Sequence, residues 1–547
     1  MLRLPIHIWA LIFFSSLLQI GMFPIWGPVS VACSALSWIS LAPILVALLR
    51  RRGSGTGISL GTGFLLGYTC GFLWYLGNCS WIYQTMYLYG GLPKPIALVI
   101  LILFSSYLGL YHALFAVLVS FVRISRLGVN GALLLSPFIW VAVELARARI
   151  TGFPWDLLGY TQINNLFIIQ LAPIGGVLCL SFVVAAINAG VAMLGISSGR
   201  KRILFPLAAA SMALIIQMAG SYMARSTAIP FPRQTAVLLQ ENIAVGITAT
   251  PDQLLTTNQE FESFSSLSLH PRINESAKLD HAVISRGVRI SPDLIVWPEA
   301  PSHFQSNDPD LNLRLGNLAR AANVPVIAGS LGLDPDPSRS RGYALYDSAL
   351  LFDASGEYRG RYDKIHLVPW GEFIPFKSFF SFAHKLTEGA GDMDRGHERS
   401  IFRVNGRAYG IFICYESIFG DEVREFVKNG AEVLINISDD GWYGDTGAPW
   451  QHLNMARMRA IENNRWVLRS TNTGITTAID PQGRARDQAP RHVRAAFMFP
   501  FCFTQEITFY THHGDWFAYL CAAITMLALA FSFAYRVRSR PNLHALK

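Results

Sequence analysis

Arg407-Ala408-Tyr409-Gly410-Ile411-Phe412-Ile413-Cys414-Tyr415-Glu416 is the stretch on which the reading of this chain turns. Residues 408–413 have the length and the apolar, aromatic and β-branched content of a buried strand. The run stops at a cysteine, followed at once by Tyr415 and Glu416. A cysteine in that position is by default a small apolar core residue. Two other runs in the chain also end in chemistry. Leu294-Ile295-Val296-Trp297-Pro298 leads into Glu299, and Arg361-Tyr362-Asp363 leads into Lys364. A glutamate at the end of a buried strand is costly unless it is paired or functional, and an ion pair is its ordinary explanation. A single lysine is ordinarily a solvated charge. One sheet system that brings three such strand ends together turns these residues into a set.

Strand-like runs at 235–239, 293–297, 324–328, 348–352, 408–413, 433–437 and 466–470 alternate with helical patterns at 312–322, 421–429 and 450–464, which indicates an α/β domain. Stretches near 263–283 and 332–342 have the Ser, Asp and Pro content of surface loops. Outside this region the chain is apolar. It has 547 residues, 52% of them hydrophobic, and a positive mean hydropathy. Runs of about 20 residues, long enough to cross a bilayer core of roughly 30 Å, occur near 6–23, 29–49, 57–83, 94–122, 131–148, 168–197, 201–223 and 516–535. The expected architecture is an α-helical transmembrane bundle of eight helices with an inserted α/β domain. Its divisions are 1–225 for helices one to seven, 226–510 for the extracytoplasmic catalytic domain, and 511–547 for helix eight and a cytoplasmic tail.

The net charge of +9 does not point to nucleic acid, because the basic residues sit at alternate helix ends: Arg3, Arg50 to Arg52, Arg123 and Arg126, Arg200 to Arg202 around Lys201, and Arg536 to Arg540. This is the positive-inside pattern. It places both termini in the cytoplasm and 226–510 outside; Arg147 and Arg149 run against it. The first apolar run shows no cleavage motif and reads as a retained helix. Five of the seven cysteines fall in the apolar runs, leaving Cys414 and Cys502 in the polar segment. Gly57, Gly61, Gly63, Gly67 and Gly71 mark close helix packing. Glu144 lies near a helix end and reads as an interface residue. The shortage of charge within the spans argues against an ion-coupled transporter.

The trio suits thiol chemistry. A thiolate is the nucleophile, a nearby carboxylate takes its proton, an ammonium stabilises the oxyanion, and a backbone N–H after Cys414 can assist. Glu372 can hold Lys364 or help move the proton. Several motifs compete with this set. His366 beside Lys364 offers a Cys–His pair; Glu299 is the preferred base. Gly195-Ile-Ser-Ser-Gly199 has the G-x-S-x-G spacing of serine hydrolases, but it follows a helical run and not a strand. His512, His513 and Asp515 could bind a metal, but an interfacial role before the last span fits them better. No metal and no cofactor is expected.

The same segments resemble the nitrilase superfamily with its Glu-Lys-Cys triad. The whole chain resembles the apolipoprotein N-acyltransferase family of the bacterial inner membrane. The resemblance rests on TGFPWDLLGYTQ (151–162), WPEA (297–300), YDKIHLVPWGEFIP (362–375), ICYESIF (413–419), ISDDGWYGDTGAPWQHLNMARMRAIENNRWVLRSTNTGIT (437–476) and DPQG (480–483). It implies a nitrilase-like αββα sandwich with Glu299 as base, Lys364 as oxyanion stabiliser and Cys414 as nucleophile. Glu372, Tyr415 and Glu416 would support them, and Trp442 would lie on the substrate side. The implied reaction carries a fatty acyl chain from a phosphatidylethanolamine-like phospholipid, through a cysteine thioester, to the N-terminal amine of a diacylglyceryl-cysteine lipoprotein. The partners are then a phospholipid donor, a diacylated apolipoprotein acceptor and membrane lipid, with no nucleic acid, and the chain is expected to act as a monomer. Residues 368–382 are rich in aromatics and read either as core or as a lid whose Phe376, Phe379 and Phe380 meet lipid. Two other classes stay open: a membrane-anchored amidase that resolves the acyl-enzyme with water, and a non-catalytic scaffold.

Overall fold

The computed structural model describes residues 4–25, 27–28, 31–50, 58–197, 201–226, 232–245, 256–273, 291–299, 304–339, 341–373 and 393–538. It divides into two compact units. One comprises 1–83, 98–227 and 513–547, and the other comprises 84–97 and 228–512.

The first unit is helical. Among the described residues four helices are long and apolar enough to cross a membrane: Lys94–Ile124, Gly128–Thr151, Ile168–Ile196 and Trp516–Val537. The other apolar runs are Ile6–Gly21, a shorter helix of 16 residues, Leu60–Asn78 and Lys201–Ser226. The run expected as one span at 29–49 is not one continuous helix. It folds as Val31–Leu36 and Ala42–Leu49, separated by tight turns at Ser37 to Leu41. A break in an apolar setting frees backbone groups that need partners. Asn188, on the helix Ala172–Ile196, supplies them. Its Oδ1 accepts from the N–H groups of Leu41 (2.8 Å) and Ala42 (3.0 Å), and its Nδ2 donates to the Ser37 carbonyl (2.7 Å). Of the glycine row, Gly63, Gly67 and Gly71 pack as small residues do, Gly61 faces open space and Gly57 lies outside the described residues. A Cβ on Gly67 would lie 2.5 Å from Ala116 Cβ and from the His112 carbonyl oxygen.

The second unit holds two sheets. The first is ordered β2-β13-β1-β3-β4-β5-β6, with β1 Gln234–Gln240, β2 Arg272–Ile273, β3 Leu294–Val296, β4 Val326–Pro335, β5 Tyr343–Phe352, β6 Tyr358–Asp363 and β13 Ala495–Phe501. The second is ordered β12-β11-β10-β9-β8-β7, with β7 Ile401–Val404, β8 Arg407–Ile413, β9 Val433–Ser438, β10 Val467–Thr471, β11 Thr477–Ile479 and β12 Ala485–Arg486. The centres of both sheets are parallel: β1, β3 and β4 in one, and β8, β9 and β10 in the other.

Strands buried on both faces read as continuous apolar runs. One core forms where the inner faces meet, with Ala236, Leu238, Val296 and Ile327 from the first sheet and Ile411, Ile413, Ile435 and Leu468 from the second. The outer face of the first sheet buries Val237, Leu239, Ile295 and Trp297 against Phe261, Phe264, Leu315 and Leu318 of the helices Thr257–Leu269 and Pro309–Ala322. The helices Gly420–Lys428 and Ala448–Asn463 cover the second sheet through Val423, Phe426, Leu453 and Ala460. The result is a four-layer αββα domain. The helix Thr257–Leu269 starts inside what reads as polar sequence. A reciprocal capping box of Thr256 and Gln259 begins it, and Phe261 and Phe264 anchor it.

Gly67→Leu is expected to lower the stability of the helical unit by about 1–3 kcal/mol, because the added side chain meets backbone that cannot yield. Thermal unfolding in detergent checks this, and an unchanged midpoint would remove the packing role.

Candidate active site

β8 ends at Ile413, and Cys414 opens a short 3-10 turn, Cys414–Ile418. Cys414 has φ +49°, in the left-handed region where a side chain is strained. The surroundings hold it there. Glu416 Oε2 accepts from the Ile413 N–H at 2.6 Å, and the Cys414 carbonyl accepts from His452 Nε2 at 3.0 Å. His452 is fully buried. Its Nδ1 faces Asp440 Oδ1 (2.8 Å) and Arg469 Nη2 (3.0 Å), and Arg469 also donates to Asp440 Oδ2 (2.7 Å). A carbonyl only accepts, so His452 carries a proton on Nε2. Burial lowers the His452 pKa, and the Asp440 charge works against that shift. Burial opposes ionisation of Asp440, but the charges of Arg469 and His452 outweigh it and hold that carboxyl below its usual range.

The thiol itself is buried. That burial pushes its pKa well up, and the Glu299 charge adds to the effect. The Lys364 ammonium and a hydrogen bond with the Ser438 hydroxyl pull the other way. The resting form is therefore the thiol, and a base must take its proton as it reacts.

Lys364 follows β6 and is fully buried. Its Nζ donates to Glu299 Oε1 (2.8 Å), Asp347 Oδ2 (2.8 Å) and Glu372 Oε1 (2.5 Å). Burial alone would discharge it, but the three carboxyl groups more than compensate and raise its pKa. Those three carboxyls lie within 4.8 Å of one another, and the ammonium that bonds to all of them fills the place a cation would take. Glu299 follows β3. Its second oxygen accepts from the Asp439 N–H at 2.6 Å, which fixes the carboxylate between the two sheets. The second oxygen of Glu372 accepts from the Val368 N–H at 2.9 Å.

Glu416 ties the cysteine to the lysine. Oε1 accepts from Tyr362 Oη (2.8 Å), Ile365 N (2.7 Å) and His366 N (3.1 Å), and Oε2 accepts from Tyr362 Oη (2.9 Å) and from Ile413 N. Tyr415 is buried, its ring edge-on to Phe419, and the Glu372 charge reaches its hydroxyl. Trp442 is 41% exposed on the turn Asp440–Tyr443, and its carbonyl accepts from Thr85 Oγ1 at 3.0 Å. Glu299, Lys364, Glu372 and Cys414 thus come together, with Tyr415 and Glu416 beside them. Phe376, Phe379 and Phe380 lie outside the described residues.

The competing motifs are occupied elsewhere. His366 stacks on Phe419 and sits 3.4 Å from Glu422. Asp515 pairs with Arg149 at 2.5 Å. Gly195 lies within the helix Ala172–Ile196, and Ser198 and Gly199 fall outside the described residues. Sequence reasoning missed Asp347, His452, Asp440 and Arg469 as parts of this centre. An aspartate inside the apolar strand Tyr343–Phe352 was the available signal for the first.

Residues 8–190 match the family model of the apolipoprotein N-acyltransferase N-terminal domain, and residues 277–494 match that of the carbon-nitrogen hydrolases. The chain is 33% identical over 516 residues to the apolipoprotein N-acyltransferase of Geobacter metallireducens, covering 91% of each protein. It is 31% identical over 506 residues to that of Methylococcus capsulatus, covering 90% of this chain and 91% of the relative. Among solved structures, an amidase of Nesterenkonia from the nitrilase superfamily aligns with TM-score 0.36 and 14% identity, over 54% of this chain and 99% of the amidase.

Two outcomes test this geometry. Glu416→Ala orphans the buried N–H groups of Ile365, His366 and Ile413 and is expected to cost at least about 3 kcal/mol, at about 1–3 kcal/mol per orphaned donor; thermal unfolding reads it. Burial pushes the Asp439 carboxyl up to about 7 from 3.8, against the Gly441 N–H and the Asn472 amide, which lower it. The folded state then binds this proton more tightly than the unfolded chain. Its contribution to stability is present below the unfolded pKa and is lost as pH rises from about 4 to about 7. Asp439→Asn should flatten the fall in stability across that window, and an unchanged slope would show that Asp439 does not titrate there.

Proposed function

Because the chain belongs to the apolipoprotein N-acyltransferase family, we propose that Glu299, Lys364 and Cys414 carry an acyl transfer at the membrane surface. The observation that carries this reading is the Lys364 ammonium held by Glu299 and Glu372 beside a buried, protonated Cys414 thiol. Cys414 Sγ attacks the ester carbonyl carbon of the sn-1 chain of a phosphatidylethanolamine-like phospholipid, and Glu299 takes the thiol proton. Lys364 Nζ and the N–H that follows Cys414 face the developing oxyanion. The tetrahedral intermediate collapses and breaks the ester C–O bond. The departing lysophospholipid oxygen receives the proton from Glu299, and the acyl chain remains as a thioester.

The free α-amine of a diacylglyceryl-cysteine then attacks the thioester carbon and gives up a proton to Glu299. Collapse breaks the C–S bond, forms the amide and returns the proton to sulfur. Glu372 keeps Lys364 charged and in place, Tyr415 and Glu416 fix the turn that bears the nucleophile, and Trp442 meets substrate. The reading includes eight spans in the bacterial inner membrane. It puts both termini in the cytoplasm, 226–510 on the outer side, and a monomer as the working form. The alternation of basic residues along the chain supports that orientation.

The test combines labelled phospholipid with a diacylated lipopeptide. Wild type is expected to yield a fatty acyl adduct on Cys414 by mass spectrometry and a triacylated peptide. Cys414→Ala should yield neither, and full activity in that variant would refute the nucleophile. Glu299→Gln is expected to lose about 100- to 10,000-fold in kcat, and Lys364→Met about 100- to 1,000-fold. Release of free fatty acid in place of the amide would favour the amidase.

A further inference from the structure

The centre holds one carboxyl more than the proposed reaction uses. If all three acids around Lys364 were ionised, one ammonium would face three negative charges in a buried space, a net of two uncompensated charges. A protein interior does not sustain this; the cluster takes up a proton instead. Hydrogen-bond accounting says where the proton sits. Glu299 has a donor on each oxygen, Lys364 Nζ at 2.8 Å and the Asp439 N–H at 2.6 Å. Glu372 likewise has Nζ at 2.5 Å and the Val368 N–H at 2.9 Å. A donor on each oxygen favours the charged form of a carboxyl. Asp347 differs. Among the described residues the one donor to its carboxyl is Lys364 Nζ, at 2.8 Å, and an oxygen each of Glu299 and Glu372 lies within 4.8 Å of it. Carboxyls this close in a buried site do not all ionise, and the one with the fewest donors is the one that keeps the proton.

We infer that Asp347 is a neutral carboxylic acid at ordinary pH, accepting from Lys364 and donating its proton to Glu299, and that it acts as a positioning residue for that base. The acid orients Glu299 without cancelling the charge that Lys364 needs, and it removes one negative charge from the neighbourhood of the Cys414 thiol. The other titratable groups facing it are Glu372 and Asp439, together with Lys364 itself. Burial acts in the same sense, favouring the protonated form of Asp347. The protonation stands independently of the reaction, whereas its effect on rate rests on the acyl-transfer reading above.

The deciding experiment is infrared spectroscopy of the full-length protein in detergent at neutral pH, labelled with 4-13C-aspartate. A protonated-carboxyl carbonyl band, shifted by the label and sensitive to deuterium exchange, is expected in the difference between the wild-type and Asp347→Asn spectra. In the acylation assay Asp347→Ala is expected to lower kcat about 100-fold through loss of orientation of Glu299. Asp347→Asn keeps an acceptor for Lys364 and a donor for Glu299, and should restore most of that loss. A difference spectrum without that band overturns the inference. So does an Asn variant no better than the Ala variant. Loss of acyl transfer in the wild-type protein would sink the proposed function and leave the infrared result standing.

Discussion

Everything at this centre answers to one buried ammonium. Lys364 is out of contact with water, and a lysine there stays charged only if negative groups surround it closely. The chain supplies those groups from separate places, Glu299 after β3 and Glu372 in the segment after β6, and Asp347 within β5 adds a third acceptor for the ammonium. The attraction fixes the ends of three elements to a common point. The Asp439 N–H then links Glu299 to the end of β9, so the two sheets are joined through the same charge network. Removing one partner would leave buried charge uncompensated, which costs far more than the loss of a surface pair.

The cysteine is held by the same logic from the other sheet. Its left-handed backbone is an unfavourable conformation that hydrogen bonds to its neighbours maintain. Glu416 fastens the turn to the lysine segment, and His452, backed by Asp440 and Arg469, fastens the cysteine carbonyl from behind. Cys414 and the Lys364 ammonium are therefore held in relative position by buried hydrogen bonds. That is the kind of support an acyl transfer needs, because small displacements of reacting groups cost large factors in rate.

Much of this was legible in the residue order. The central strands are apolar on both faces, so runs such as 433–437 and 466–470 announce themselves, and Glu299 and Cys414 stand out because each ends such a run, whereas Lys364 follows the polar strand Tyr358–Asp363 and stands out only through its motif. Asp347 was not legible in the same way, because it sits inside a strand and its role appears only when Lys364 arrives from the neighbouring β6. His452, Asp440 and Arg469 are likewise distant in sequence, and each alone reads as an ordinary polar residue. The helix Thr257–Leu269 was hidden by its polar composition, although Thr256 and Gln259 are a visible start signal. The apolar run at 29–49 misled by composition: hydropathy reports that a segment is apolar, not that its backbone is unbroken.

That break has a consequence for how the chain is made. The Leu41 N–H finds its partner 147 residues further along, on Asn188. At a synthesis rate of about 5–20 residues per second, the acceptor is made roughly 7–30 seconds after the donor. During that interval the two short helices have backbone groups that lipid cannot satisfy. The nascent segment must wait where water or the insertion machinery can serve them. A single carboxamide thus sets an order of assembly, in which the early segment completes its burial only after a much later one has been delivered.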